Sequence, residues 1–288
     1  HFFSTRESSL WAHLREKFPK ARLAVTPVAY FPVKFYWRLS ALAKRVLGRW
    51  PEEWSQVDRF FPTTEREAAG LRLYWAIPGA RIRVLTNGVD DRYLNAEPEL
   101  FREKTGIRGD FILSVARLDP VKQQDVLLRV AAKLGKTVVI IGGEEVSASA
   151  YARSLRQLAQ DLEVSARFGF RVHFLGPLRA DDPLLPSAYA AASVFWLVSR
   201  FETFGIVALE AALAGTPVLM TEAQGAPDIF SPFARLVSPN ASQAHLASEI
   251  EQLLKGARLS RSLREGLAAD FSWSRVGESL EAYYLEYK

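Results

Sequence analysis

Short runs of β-branched and aliphatic residues recur along the chain at 22–26, 81–85, 111–115, 137–141, 172–175, 194–198 and 217–221. Between them lie segments in which apolar residues return with a period near 3.6, the pattern of a helix with one buried face. From about residue 110 to residue 255 the two kinds of segment alternate. Such alternation predicts βαβ units, hence a parallel sheet with helices on both faces. The first ninety residues are poorer in strands, with runs near 1–3, 23–26, 59–63 and 81–85. That is too few for a doubly wound domain, so the chain reads as beginning inside a domain, with further strands expected before His1. Asn87-Gly88, the polar residues after it and Pro98 mark 87–105 as the hinge between two domains. After Ser272 the pattern is helical and aromatic, with Trp273, Val276, Leu280, Tyr283, Tyr284 and Tyr287.

Residues 33–50 read as a helix with separated faces. At 100° per residue, Lys34, Arg38, Arg45 and Arg49 fall within an arc of roughly 60°. Phe35, Leu39, Leu42, Ala43, Val46, Leu47 and Trp50 lie on the other side. The pattern suits a helix lying on an anionic membrane surface and equally a helix packed on a domain with a solvated basic face. No apolar run is long enough to span a bilayer, and no signal peptide is visible. A net charge of +5 favours anionic partners without choosing among them. The chain has no cysteine, which excludes disulfides, thiolate metal sites and cysteine nucleophiles, and fits a reducing compartment. Nor does any His spacing suggest a metal site.

Two stretches carry candidate chemistry. In Ser114-Val115-Ala116-Arg117-Leu118-Asp119-Pro120-Val121-Lys122 a buried strand runs into a loop with two cations. Ligands of open α/β sheets sit at the carboxyl ends of strands. There Arg117 and Lys122 suit a diphosphate, one as a planar fork and the other as a point charge. The same spacing also suits a solvated loop. In Ser199-Arg200-Phe201-Glu202-Thr203-Phe204-Gly205-Ile206-Val207-Ala208-Leu209-Glu210 a strand runs into a helix that starts near Gly205. Free N–H groups at a helix start attract anions. Glu202 and Glu210 cannot attract phosphate and more plausibly accept from sugar hydroxyls. A helix cap and an exposed helix residue are the plain alternatives, but a carboxylate among Val207, Ala208, Leu209 and Ala211 needs a partner. Gly142-Gly143 is not a dinucleotide fingerprint, and no P-loop or nucleophile elbow occurs.

In order, these motifs resemble the GT-B retaining glycosyltransferases, specifically glycosyltransferase family four, the group 1 glycosyltransferases. The resemblance runs from about Val57 to Lys288 through Val57-Asp58-Arg59, Thr86-Asn87-Gly88-Val89-Asp90, the Arg117–Lys122 loop, Val139-Ile140-Ile141-Gly142-Gly143 and Val172-His173-Phe174-Leu175-Gly176. It continues through the Glu202/Glu210 pair, Gly215-Thr216-Pro217-Val218 and Phe271-Ser272-Trp273. It implies two Rossmann-like domains facing a cleft, with the N-terminal one incomplete. Residues 1–90 would be the acceptor side, 91–268 the nucleotide-sugar domain, and 269–288 a helix crossing back. It further implies that Arg117 and Lys122 hold the donor diphosphate and that Glu202 accepts from the donor sugar. Glu210 would accept from the ribose, while Thr203, Phe204, Gly205 and Ile206 bring their backbone near sugar or phosphate. Arg117, Lys122 and Glu202 would be the catalytic set. The loop after 172–176 would flank the base. Family members also carry a glycine-rich first loop and a first-domain His, and neither is found here; after the strand the sequence reads Thr26-Pro27-Val28-Ala29-Tyr30.

The function implied is transfer of a sugar from a nucleotide-sugar co-substrate to a glycan or lipid-linked acceptor with retained configuration, as in polysaccharide biosynthesis. No metal or other cofactor and no nucleic-acid partner are expected. The location implied is the cytoplasm, at the inner face of a membrane if residues 33–50 dock there. A non-catalytic nucleotide-sugar-binding protein and a nucleotide-sugar epimerase or hydrolase of the same fold are the alternatives.

Overall fold

The structure, a computed structural model, describes residues 13–27, 54, 56–144, 148–165, 169–222 and 225–286. The strand expected at 1–3 and the two-faced helix expected at 33–50 lie outside the described residues. The chain forms two compact units, one of His1–Asn87 with Val276–Lys288, the other of Gly88–Arg275. Among the described residues, no helix is long and apolar enough to cross a membrane.

In the first unit β1 (Ala24–Val25) pairs in parallel with β2 (Arg59–Phe60). Helix α1 (Glu65–Tyr74) follows. Its start is set by Thr64, whose hydroxyl accepts from the Glu67 amide at 3.0 Å, while Glu67 accepts from the Thr63 amide at 2.7 Å. These two bonds satisfy donors that a helix start otherwise leaves open. The strand expected at 81–85 does not form as such. Gly79–Arg81 is a 3-10 turn, and Ile82 makes a single parallel bridge to Phe60. The Arg83 and Leu85 amides donate to the Phe60 and Pro62 carbonyls, but the rung between them needs an N–H at residue 62, and Pro62 has none.

The second unit is a six-stranded, wholly parallel sheet in the order β5-β4-β3-β6-β7-β8. Its strands are β3 (Phe111–Val115), β4 (Thr137–Ile141), β5 (Val172–Gly176), β6 (Val194–Leu197), β7 (Val218–Thr221) and β8 (Ala234–Val237). The last of these, a four-residue edge strand with Arg235 inside it, was not expected. The helices of this unit in chain order are α2 (Glu99–Thr105), α3 (Gln124–Leu134), α4 (Ser149–Ser165), α5 (Leu184–Ala191), α6 (Ile206–Leu213), α7 (Pro227–Phe230), α8 (Gln243–Lys255) and α9 (Arg261–Phe271); the last helix, α10 (Trp273–Leu285), belongs from Val276 onward to the first unit.

Alternation along each strand divides the core in two. Phe111, Leu113, Val139, Phe195, Leu197 and Met220 face one cluster, with α5 and α6 packed on it. Ile112, Val138, Ile140, Trp196 and Leu219 face the other, with α3, α4 and α8. Burial on both faces explains why these strands read as continuous apolar runs. Helix α6 is buried nearly all round and is built of small or aliphatic residues, Glu210 excepted.

Strand order fixes where the sheet can hold a ligand. From β3 the chain winds outward through β4 and β5, then returns to lay β6 on the other side of β3 and winds outward again through β7 and β8. The reversal lies between β3 and β6, which pair at Ile112 with Val194 and Leu113 with Phe195. Loops leaving these two strands part in opposite directions and open a crevice at the carboxyl edge.

Candidate functional site

The loop after β3 carries Arg117 and Lys122, and the loop after β6 carries Glu202. Asp119 shapes the first by accepting from the Val121 amide at 2.8 Å, which starts the 3-10 turn Pro120–Lys122. Gln123 then adopts a left-handed conformation with φ 51°. Its side chain compensates that strain by donating to the carbonyls of Val198 at 3.1 Å and Pro239 at 3.2 Å. Gln124, fully buried, donates to the Arg117 carbonyl at 2.8 Å and accepts from the Tyr151 hydroxyl at 3.2 Å. The two loops are joined directly, since the Arg200 amide donates to the Val121 carbonyl at 2.7 Å. Gly142, at the end of β4, lets a third backbone close in, because a Cβ there would stand 1.9 Å from the Ala116 carbonyl oxygen.

This scaffold brings Lys122 Nζ to 2.7 Å from Glu202 Oε2, with the two side chains only 20% and 12% exposed. The second oxygen of Glu202 accepts from the Thr203 amide at 3.1 Å, and its carbonyl accepts from the Gly225 amide at 3.0 Å. A cation and a carboxylate so far from water bind each other strongly, and each is costly to leave alone. Arg117 is exposed on the same loop as Lys122.

Gly205 precedes α6 with φ 95°, which an L side chain rarely adopts, and a Cβ there would crowd Leu197, Glu202 and Met220 at 3.3–3.4 Å. No side chain caps the amide groups that open α6. Thr203, Phe204 and Ile206 flank this turn, with Phe204 buried against Phe230. One turn further on, Glu210 accepts from the Tyr189 hydroxyl at 2.7 Å. Burial pushes its carboxyl above the usual range, while the Tyr189 and Tyr93 hydroxyls and the Arg92 charge pull the other way.

Sequence reasoning missed the supporting residues. Tyr189 lies in an alanine-rich helix with no spacing that marks it, and Tyr93 follows the Asn87-Gly88-Val89-Asp90 motif without belonging to it. Gln123 and Gln124 follow Lys122 directly and carry no spacing that marks them. Their signal is burial, which no linear pattern records for an isolated polar residue.

Comparison with known proteins agrees with this architecture. The family model described as glycosyl transferases group 1 matches residues 98–268, more than half of the chain. A D-inositol 3-phosphate glycosyltransferase of Mycobacteroides abscessus is 34% identical over 236 residues, covering 80% of this chain and 52% of that protein. The protein of the same name from Mycolicibacterium smegmatis is 35% identical over 239 residues, covering 80% and 53%. The chain thus spans about half the length of the curated relatives it matches. Among solved structures, Anabaena HepE in complex with UDP and glucose superposes with a TM-score of 0.76 at 18% identity, over 97% of this chain and 76% of that one. That likeness carries the fold, and the α/β class with parallel sheets expected from the sequence is the one observed. Family match, strand order and the loops gathered at the sheet reversal agree: the chain belongs to the group 1 glycosyl transferases, proteins of the GT-B fold.

Proposed function

We propose that the chain belongs to a transferase that moves a sugar from a nucleoside diphosphate sugar to an acceptor hydroxyl, with retention at the anomeric carbon. The observation that carries this reading is the Lys122–Glu202 pair across the β3/β6 reversal, a cation for phosphate beside a carboxylate for hydroxyls. Lys122 and Arg117 grip the diphosphate. Glu202 accepts from the hydroxyls of the donor sugar, and Glu210 from the ribose. The backbone of Thr203, Phe204, Gly205 and Ile206 approaches sugar or phosphate. Residues 91–268 form the donor side, 1–90 the acceptor side, and 269–288 return to the latter.

In the reaction the bond between anomeric carbon and phosphate oxygen breaks and its electron pair leaves on the diphosphate. The acceptor oxygen attacks from the same face, and its proton passes to the departing phosphate. The two cations stabilise the charge as it develops, which is where preorganised charge lowers a barrier most. HepE, a relative in fold, holds UDP in its solved complex, which supports a nucleotide donor. The relatives named above act on D-inositol 3-phosphate, which supports a small phosphorylated polyol as acceptor over a glycan or lipid-linked one. Attachment to a membrane surface rests on the two-faced pattern of residues 33–50.

Titration calorimetry with UDP and UDP-glucose tests the assignment. Arg117→Ala and Lys122→Ala are expected to weaken UDP binding by about 1.5–3 kcal/mol each, the worth of a charge-assisted bond. Glu202→Gln spares UDP and weakens UDP-glucose, whereas Glu210→Gln weakens both. Unchanged affinity in both cation variants contradicts the proposal.

Glu210 also has a signature in stability. Its folded carboxyl titrates above the ordinary range, so the protein loses stability as pH rises from the unfolded value through the folded one. Without ligand, the Tm of Glu210→Gln relative to the parent is expected to rise as pH increases above the ordinary carboxylate range, since Gln carries no charge to desolvate. A difference that is flat with pH refutes a strained Glu210.

For the membrane, co-sedimentation with vesicles of anionic lipid is expected at low salt and lost at high salt, with about 1 kcal/mol per cation. Absence of binding at low salt removes the membrane from the proposal.

A further inference from the structure

Glu210 is the single polar residue of α6, and three side chains from other parts of the same unit converge on it. Tyr189, fully buried on α5, donates its hydroxyl to Oε2 at 2.7 Å. Tyr93, buried at the end of the 3-10 turn Asp91–Tyr93, lies near enough to the same carboxylate to favour its ionised form. The two phenol rings meet edge to face with centroids 5.6 Å apart, so each fixes the other's tilt. Arg92 lies over the Tyr93 ring at 5.0 Å and donates to its hydroxyl oxygen at 3.1 Å. The same guanidinium donates to the carbonyl of Ala180, in the loop that follows β5. A continuous chain of contacts therefore runs from the loop after β5, through Arg92 and Tyr93, to the Tyr189 ring and its bond to Glu210.

The chemistry of the chain is one-sided. A carboxylate offers about four lone-pair positions. The Tyr189 hydroxyl occupies one of them and Tyr93 backs the Tyr189 ring, and others remain for a pair of neighbouring hydroxyls. Neither phenol gives up its proton near neutrality. Burial and the Glu210 charge push Tyr93 up to about 12, and the same causes push Tyr189 well above its ordinary value. Arg92 stays charged throughout, holds the Tyr93 hydroxyl and adds a positive charge that favours ionised Glu210.

We propose that Tyr93 and Tyr189, with Arg92 behind Tyr93, are positioning residues that hold Glu210 as an ionised, oriented acceptor for the ribose diol of the donor nucleotide. The proposal rests on the reading of this site as a nucleoside diphosphate pocket. It also couples two parts of that pocket, since Arg92 ties the loop after β5 to the carboxylate that meets the ribose.

The groups facing Glu210 settle the sign of the test. Burial and Asp90 favour its protonated form, whereas Tyr189, Tyr93 and Arg92 favour the ionised one. On α9 and the loop before it, Arg264 and Arg258 donate instead to the Leu213 and Ala214 carbonyls at the far end of α6. Loss of either phenol or of the Arg92 charge therefore raises the pH at which Glu210 takes up a proton and ceases to accept two bonds.

The experiment is calorimetric titration of the 288-residue chain with UDP and GDP between about pH 5 and pH 8. The parent is expected to lose affinity on the acid side, and Glu210→Gln to bind weakly without that acid limb. In Tyr93→Phe and Tyr189→Phe the limb moves to higher pH. A shift of one unit makes the loss about tenfold greater on the limb than above it. Arg92→Met moves the limb the same way, and Arg92→Lys, which keeps the charge, moves it less. If the Tyr→Phe variants lose affinity by the same factor at every pH, their role is packing alone and the proposal is overturned. If they bind as the parent does throughout, it is overturned as well. If the parent binds neither nucleotide at any pH, the nucleotide reading itself fails, an outcome distinct from binding with an unmoved limb.

Discussion

A parallel sheet sends every strand out at the same edge, and the rest of this molecule follows from that constraint. Because β3 and β6 are neighbours, the loops that leave them are neighbours too. Two segments some eighty residues apart in sequence thereby deliver Lys122 and Glu202 to within a hydrogen bond of each other. Neither side chain chooses this position. The Val121–Arg200 backbone bond, the cap at Asp119 and the two carbonyls held by Gln123 place the loops first. The charged groups then meet because their backbones already do.

The site is costly to the free protein in the ways that binding sites are. Gln123 holds a left-handed backbone without being glycine, Gly205 is kept where a side chain would crowd Glu202, and Glu210 sits in an otherwise apolar helix. Each is a departure from what local propensity and burial favour. The compensations are local and specific: two carbonyls for Gln123, the Lys122 ammonium for Glu202, and for Glu210 the Tyr189 hydroxyl with the Arg92 charge nearby. Such a set keeps polar groups directed at a fixed point without waiting for a ligand to order them, which reduces the free energy lost on binding.

Much of the second unit was legible in the sequence. The runs 111–115 and 137–141 are strands residue for residue, because burial on both faces leaves an unbroken apolar signal. The helix start at Gly205 was legible for a related reason, an apolar run that switches period just after a glycine. The edge strand β8 escaped because four residues with an arginine among them carry no such signal. The run 81–85 looked like a strand, and its ladder lacks a rung because Pro62 in the neighbouring segment has no N–H to give, a fact that no inspection of 81–85 reveals. The Lys122–Glu202 contact could not be read from spacing, since it depends on β6 returning beside β3 rather than continuing beyond β5. Tyr93 and Tyr189 were invisible for the same reason: their function is defined by a shared neighbour, Glu210, contributed by a third element.

The central claim is that a nucleoside diphosphate occupies the carboxyl edge of the sheet at the β3/β6 reversal. Hydrogen–deuterium exchange of the chain with and without UDP tests it most directly, because it reports where the backbone is shielded. Protection is predicted in residues 114–123, in 176–180 and in 199–210, with the amide groups that open α6 slowed most. Protection concentrated elsewhere, or none at saturating UDP, would contradict the account.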